Sequence, residues 1–382
     1  MQFTLSDILF LMVLFLAMFI AVFLFTSNKG RRASNILLGG FFLSLALNLA
    51  DSFLLIKQVY FSYPSLALWG SNLLLLCGPF IYFYTQSVLY KDFTVNGKKL
   101  LHFIPFIAVT ALTETSYLAA GYQKQVEILN SVLERKMPAL AYIASLIIYI
   151  HFFIYLLTAF ALVKQYSRAA ANRYSSAKKV TLQWLKTIIA FFLVLMLVTL
   201  LGNYLSYQKM AGGFFFVLTL TVFLLLAFII FMLFKALRNP EIFALLEEKE
   251  VQEAAQSIKY ASSPLPDTEK TLILAKLQQY MLTQKPYLEP ELTLDKLAAQ
   301  TAVKPKILSQ VINELLQQNF FEFINSYRLQ EAKRLLTNPA DKKITVLEVM
   351  YEVGFNSKSS FNTLFKKDTG LTPSDFKRQN ML

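Results

Sequence analysis

Cysteine is almost missing from this chain: Cys77 is the only one in 382 residues, and it lies inside an apolar stretch. A lone thiol excludes an intrachain disulfide framework and any zinc site built on cysteines. Histidine is nearly as scarce, and His102 and His151 stand far apart, outside any ligand-like spacing. There is no HExxH, no paired intramembrane aspartate motif, no Gly-x-Ser-x-Gly and no nucleotide-binding glycine loop. No metal, no cofactor and no enzymatic activity are therefore expected. Charge is thin too, at 16% of residues against about 25% in soluble domains.

Apolar mass stands in its place. Hydrophobic residues make up 55% of the chain, above the roughly 45–50% of soluble domains, and the mean hydropathy is +0.47. The excess is regional: residues 1–237 are rich in Leu and Phe, and the remainder has an ordinary soluble composition. Seven apolar runs recur, at Leu5–Ser27, Ile36–Leu55, Ser65–Val88, Leu101–Leu118, Ala139–Val163, Leu182–Leu205 and Phe214–Phe234. Each is near the ~20 residues that cross a bilayer as a helix. The first run has no basic stretch before it and Lys29, Arg31 and Arg32 after it. It is expected to be a span and not a cleaved signal peptide.

The formal net charge of +13 suits either cytoplasmic loops or phosphate contact. Its distribution gives a direction. Lys29, Arg31 and Arg32, then Lys91, Lys98 and Lys99, then Lys164, Arg168, Arg173, Lys178, Lys179 and, at the membrane edge, Lys186 fall in alternate loops, while the opposite loops hold Lys57 and Lys209. The loop with Lys124, Arg135 and Lys136 breaks the pattern and is partly offset by Glu127 and Glu134. The expectation is a multi-pass protein of the inner (cytoplasmic) membrane, N-terminus outside and C-terminus inside.

Polar residues within spans are costly and tend to have a reason. Asn48, Asp51, Asn72, Glu114 and Asn203 all fall in the outer part of their spans on this topology. They read either as an outward-opening polar cavity for a small ligand or as interhelical hydrogen bonds and interfacial caps.

Composition changes after the last run. Residues 238–268 read as a linker, in which 241–256 carries a thin apolar stripe on a charged helix and Ser262-Ser263-Pro264-Leu265-Pro266 breaks it. The stripe admits a homodimer but falls short of the roughly three to four heptads of a coiled coil.

From residue 269 onward two similar helical patterns follow one another. Thr293 is placed to cap a first helix, Thr301–Lys304 form a turn, and Pro305 opens a second helix to Leu316. Leu308, Val311, Ile312 and Leu315 are expected to be buried there. Lys306, Ser309, Gln310 and Asn313 are expected to face outward, with no acidic member among them. This is a hydrogen-bonding face of the kind that enters a major groove. A long helix, about Phe320–Leu336, leads to the repeat: Ile344–Val353, the turn Gly354-Phe355-Asn356, and a second reader at Ser357–Lys367. Here Phe361, Leu364 and Phe365 are expected inside, and Lys358, Ser359, Asn362, Thr363 and Lys366 outside.

Over residues 287–379 the chain resembles the AraC family of bacterial transcription regulators, through LSQVIN, FFEFINSYRLQEAKRLL, GFNSKSSFNTLFKK and GLTPSDF. The resemblance implies that both reader helices enter successive major grooves on one DNA face. Base-edge contacts would fall to Lys306, Ser309 and Gln310, and to Lys358, Ser359, Asn362 and Thr363. The front half, including HFIPF at 102–106, resembles a membrane-anchored branch of these regulators. The first unit departs from the family pattern, with Ala302 and Gln317 where glycines are common and Lys304 where a small capping residue is common. Met350 replaces a usual Ala in the second. The first reader helix is therefore expected to be less rigid, or to bind backbone more than bases.

The expected architecture is all-α: a seven-helix transmembrane bundle over 1–237, the linker, and a soluble domain over 269–382 with two helix-turn-helix units joined by a long helix. The expected partners are double-stranded DNA, the lipid bilayer and an unidentified small-molecule or membrane signal. The competing reading is a membrane receptor or transporter whose C-terminal domain docks a protein.

Overall fold

The computed structural model describes residues 4–28, 30–90, 92–176, 182–238, 266–337 and 344–380. The expected linker helix at 241–256 and the loop cations Lys29, Lys91, Lys178 and Lys179 lie outside the described residues. The fold is all-α. Among the described residues, the extended pairing is limited to one isolated antiparallel bridge, Tyr174 with Thr293. There are two compact units. One takes the described residues of 1–163 and 183–251, the other those of 164–182 and 252–382.

In the first unit, long apolar runs close their own backbone hydrogen bonds as helices. They are α1 (Leu5–Thr26), α2 (Arg32–Ile56), α3 (Leu74–Leu89), α4 (Ile104–Ala119), α5 (Gly121–Leu133), α6 (Ala139–Ala171), α7 (Gln183–Tyr207) and α8 (Ala211–Arg238). Thr4 and Asp7 cap α1 reciprocally, and Lys57 Nζ lies 2.5 Å from the Asp7 carboxylate. α2 packs between α1 and α3, and α7 packs on α8. Among the described residues, six segments are long and apolar enough to cross a membrane, or seven if a bent pair is one span. In that pair, 97–119 and 121–133 meet at 119°. Large apolar side chains point outward along these helices: Phe15 is 66% exposed, Ile147 61% and Phe216 70%.

Two features depart from the expected spans. The third run becomes regular α-helix only from Leu74, and Pro64–Leu66 and Ser71–Leu73 before it are single 3-10 turns. The stretch after the fourth run is not a loop but α5. Its Leu129 packs with Leu55, Tyr60, Ala67 and Tyr117, while its charged residues Lys124 and Glu127 stay exposed.

The second unit has two hydrophobic cores that share one helix. α9 (Asp267–Gln284), α10 (Leu294–Thr301) and α11 (Pro305–Leu316) enclose Leu277, Met281, Leu297, Leu308 and Ile312 together with Phe320, Phe323 and Ile324 from the start of α12 (Phe320–Leu336). Leu329, Ala332 and Leu336, from the other end of α12, join α13 (Val346–Glu352), α14 (Lys358–Thr369) and Phe376 of α15 (Pro373–Asn380).

Candidate nucleic-acid interface

Local chemistry sets the ends of each reader helix. Thr293 accepts from the Lys296 amide and caps α10. Ala302 then turns left-handed at φ 55°, and Lys304 precedes α11 with no side-chain cap. Gln317 ends α11 at φ 54°. The three positions that lack the usual glycine or cap are thus the ones where the backbone needs it. In the second unit the requirements are met. Thr345 and Glu348 form a capping box on α13, Ser357 accepts from the Ser360 amide, and Gly370 ends α14 at φ 78°. Gly354, at φ 86°, forms the turn, and a Cβ there would sit 2.7 Å from the Leu288 carbonyl oxygen. Only glycine fits such a left-handed close approach. Met350 is buried in the second core with Val353 and Phe355.

The predicted reader residues divide accordingly. On α14, Lys358, Ser359, Thr363 and Lys366 are exposed and Asn362 is half-buried, while Phe361 and Phe365 are fully buried beneath them. On α11, Lys306 is exposed, but Ser309, Gln310 and Asn313 are half-buried. Asn313 Nδ2 donates to Ser309 Oγ over 3.2 Å, and Gln310 Nε2 donates to the Glu314 carboxylate over 3.0 Å. Two expectations are corrected here. Leu315 is 38% exposed and not part of the core. The outward face also has an acidic neighbour, because Glu314 is exposed at the end of the same turn. Its carboxylate pairs with Lys270 of α9 at 2.8 Å, and hydrogen bonds from Lys270 and Gln310 hold it below the usual glutamate range.

Sequence reading missed the residue that ties this unit together. Arg328, on α12, is 1% exposed. Its Nε donates to the Tyr287 carbonyl and Nη2 to the Glu289 carbonyl, each over 2.7 Å. Nη1 reaches the Asn325 side chain and the Ser175 carbonyl, both at 3.3 Å. Burial pulls its pKa down to about 10, against the attraction of Glu291 and Glu289, which leaves it a cation at neutral pH. The signal was present in the sequence: Arg328 stands four residues from both Ile324 and Ala332, on the buried stripe. A charged residue on a core stripe must be hydrogen-bonded or paired.

In the first unit, Asn48 Nδ2 donates to the Gly70 carbonyl over 3.0 Å. The Asp51 carboxylate accepts from Tyr60 Oη over 2.9 Å, and Tyr60 Oη in turn accepts from Trp69 Nε1. Asn72 Nδ2 donates to Thr113 Oγ1 over 2.8 Å, beside half-buried Glu114. These four lie around the 3-10 turns between α2 and α3. Asn203 is elsewhere, bonded to Ser145 Oγ of α6 at 2.6 Å.

A family described as a helix-turn-helix domain matches residues 297–379. The chain is similar to the uncharacterized HTH-type transcriptional regulator YtdP of Bacillus subtilis, 31% identical over 91 residues, which is 24% of this chain and 11% of that one. It is also similar to the HTH-type transcriptional activator RhaR of Escherichia coli, 24% identical over 122 residues, covering 32% of this chain and 41% of the relative. The chain thus spans less than half the length of these relatives. Among solved structures, the C-terminal domain of AraT, a response regulator from Geobacillus stearothermophilus, is 29% identical, with coverage of 29% of this chain and 87% of that chain and a TM-score of 0.26. Residues 297–379 are a helix-turn-helix domain of the kind carried by DNA-binding transcriptional regulators.

Proposed function

We propose that the chain is a membrane-embedded one-component transcription regulator of AraC type. Its apolar unit spans the cytoplasmic membrane and senses a signal there or outside, and its C-terminal domain binds specific DNA sequences on the cytoplasmic side. One observation carries the DNA half of the reading: α14 presents Lys358, Ser359, Thr363 and Lys366 outward on a helix anchored by buried Phe361 and Phe365. A rigid helix with hydrogen-bonding and cationic groups on its free face is what base-edge readout in a major groove requires. Outward Phe, Leu and Ile side chains on helices of spanning length support the membrane half, since a water-soluble surface rarely carries so much contiguous apolar area. Lys306 and Lys366 supply phosphate contacts, whose contribution weakens as salt rises.

The polar cluster around Asn48, Asp51, Asn72 and Glu114 is the place in the apolar unit for a ligand to act. A small polar molecule there would compete for hydrogen bonds the protein now makes with itself. Asn203 stands apart from that cluster.

Selection of bound sequences from a random DNA pool by the full-length protein tests the proposal. The wild-type chain should enrich a defined site. The Lys358→Ala/Asn362→Ala chain should lose that preference by about tenfold or more, given ~1–3 kcal/mol for each good base contact, while keeping salt-dependent binding to any duplex. Enrichment unchanged by the double substitution would refute α14 as a reader.

A further inference from the structure

Residues 164–176 follow one apolar run and precede the next in the sequence, yet they fold with the helix-turn-helix unit. Tyr174 forms the isolated antiparallel bridge with Thr293. On either side of it, the Leu294 amide donates to the Arg173 carbonyl over 3.0 Å and the Ser175 amide donates to the Leu292 carbonyl over 3.4 Å. Ser175 Oγ donates to that same carbonyl over 2.7 Å, and Arg173 Nε reaches the Asp295 carboxylate at 3.0 Å. From α12, Asn325 Nδ2 and Arg328 Nη1 donate to the Ser175 carbonyl over 3.2 and 3.3 Å. Tyr174, Ser175 and Ser176 are 3%, 2% and 6% exposed. This is a seated segment and not a loop lying across a surface.

The seat completes groups that the first reader unit cannot satisfy by itself. Leu294 is the first residue of α10, and its amide is one of those that a helix leaves without an internal acceptor. Arg328 is a buried cation, and part of its donor set ends on Ser175. Withdrawing the segment leaves a buried charge short of acceptors, which is costly. The unit so clamped is also the one with left-handed Ala302 and Gln317 and an uncapped Lys304. The less self-sufficient reader is the one that receives an outside clamp.

We propose that Arg173–Ser176 is an intramolecular strap, and that its seating on α10 and α12 holds the first reader unit in its DNA-binding form. A signal in the apolar unit reaches the strap along the chain and changes DNA affinity by seating or releasing it. The contact stands on geometry alone, while its consequence for DNA rests on the regulator reading above. Because a signal shifts an equilibrium only through a difference in affinity for its two states, the seated and released forms must bind DNA unequally.

Hydrogen exchange on the full-length protein in lipid nanodiscs tests the strap, comparing amides of 294–316 with those of 346–369. Ser175→Ala and Arg173→Glu should each speed exchange in the first set, on the order of tenfold, and leave the second set unchanged. Arg173→Glu combined with Asp295→Arg should restore slow exchange. Tyr174→Cys with Thr293→Cys should cross-link on oxidation, because facing residues of a non-hydrogen-bonded antiparallel pair have Cα atoms about 4.5 Å apart, within disulfide reach. Cys77 is buried and does not compete. Exchange that is equal in all variants, or that rises equally in both sets and is not rescued by the charge swap, overturns the strap.

A random-sequence duplex at low salt separates contact from consequence. The oxidised cross-linked protein should retain more duplex than the Ser175→Ala protein. Equal retention, with exchange responding as expected, overturns control of DNA by the strap. A wild-type chain that retains no duplex defeats the regulator reading and leaves only the seat.

Discussion

At the scale of single residues, the contrast between the two reader units comes down to backbone positions. Ala302 and Gln317 hold left-handed conformations in the first unit, which cost an L-residue roughly 1–2 kcal/mol relative to glycine. Ala302→Gly should therefore stabilise the C-terminal region by about 1 kcal/mol, read as a higher urea midpoint at unchanged slope. Gln317→Gly should gain less, because the Gln317 side chain donates to the Glu314 carbonyl and offsets part of the strain. These positions were legible in the sequence as missing glycines. Arg328 and Asn325 were not picked out, because an apolar-stripe reading counts hydrophobic residues and passes over a polar one on the same face.

Glu331 and Glu348 join Glu314 in setting the acid response. The Thr345 amide holds Glu348 below the usual glutamate range, and hydrogen bonds from Arg334 and Lys285 do the same for Glu331. A carboxylate whose folded pKa is depressed binds more protons when unfolded. Its contribution is complete above the ordinary glutamate value of about 4.3 and is lost as pH falls through the lowered one. Thermal unfolding of the C-terminal region should hold steady from neutral pH down to that value and weaken below it. Stability that rises on acidification there would contradict the assignment.

At the scale of elements, α12 does the joining. Its first turns belong to one core and its last turns to the other, so the two readers share a single rod. The length and apolar pattern of α12, the capping residues Thr293 and Ser357, and the glycine turn of the second unit were all readable, because each follows from local periodicity or backbone demand. The α5 helix was not, since its charged face resembles a loop until Leu129 finds its partners around the 3-10 turns. The strap was hidden for a similar reason: its pairing spans more than a hundred residues of sequence, and no local pattern announces it. Gly354 joins the two readings. It is a turn glycine whose missing Cβ also lets the Tyr287 and Leu288 carbonyls approach. Gly354→Ala should cost about 2 kcal/mol or more, from left-handed strain plus the backbone clash. A thermal midpoint equal to that of the unsubstituted chain would show that the turn can relax.

At the scale of the whole molecule, hydropathy and a composition shift near residue 238 set the Leu- and Phe-rich part of the sequence apart from the more polar remainder. The structure adds that the described residues of 164–182 fold with the helix-turn-helix part. That places a piece of chain flanked by apolar helices inside the helix-turn-helix unit. In the proposed regulator that unit faces the cytoplasm and reads DNA sequence there.

The most direct measurement uses membrane vesicles of both orientations carrying the full-length protein. They would be incubated with a DNA pool and, separately, with a protease. Inside-out vesicles should capture a defined sequence and expose the C-terminal domain to cleavage, while right-side-out vesicles should do neither. Sequence-indifferent capture, or cleavage of that domain only in right-side-out vesicles, would contradict it.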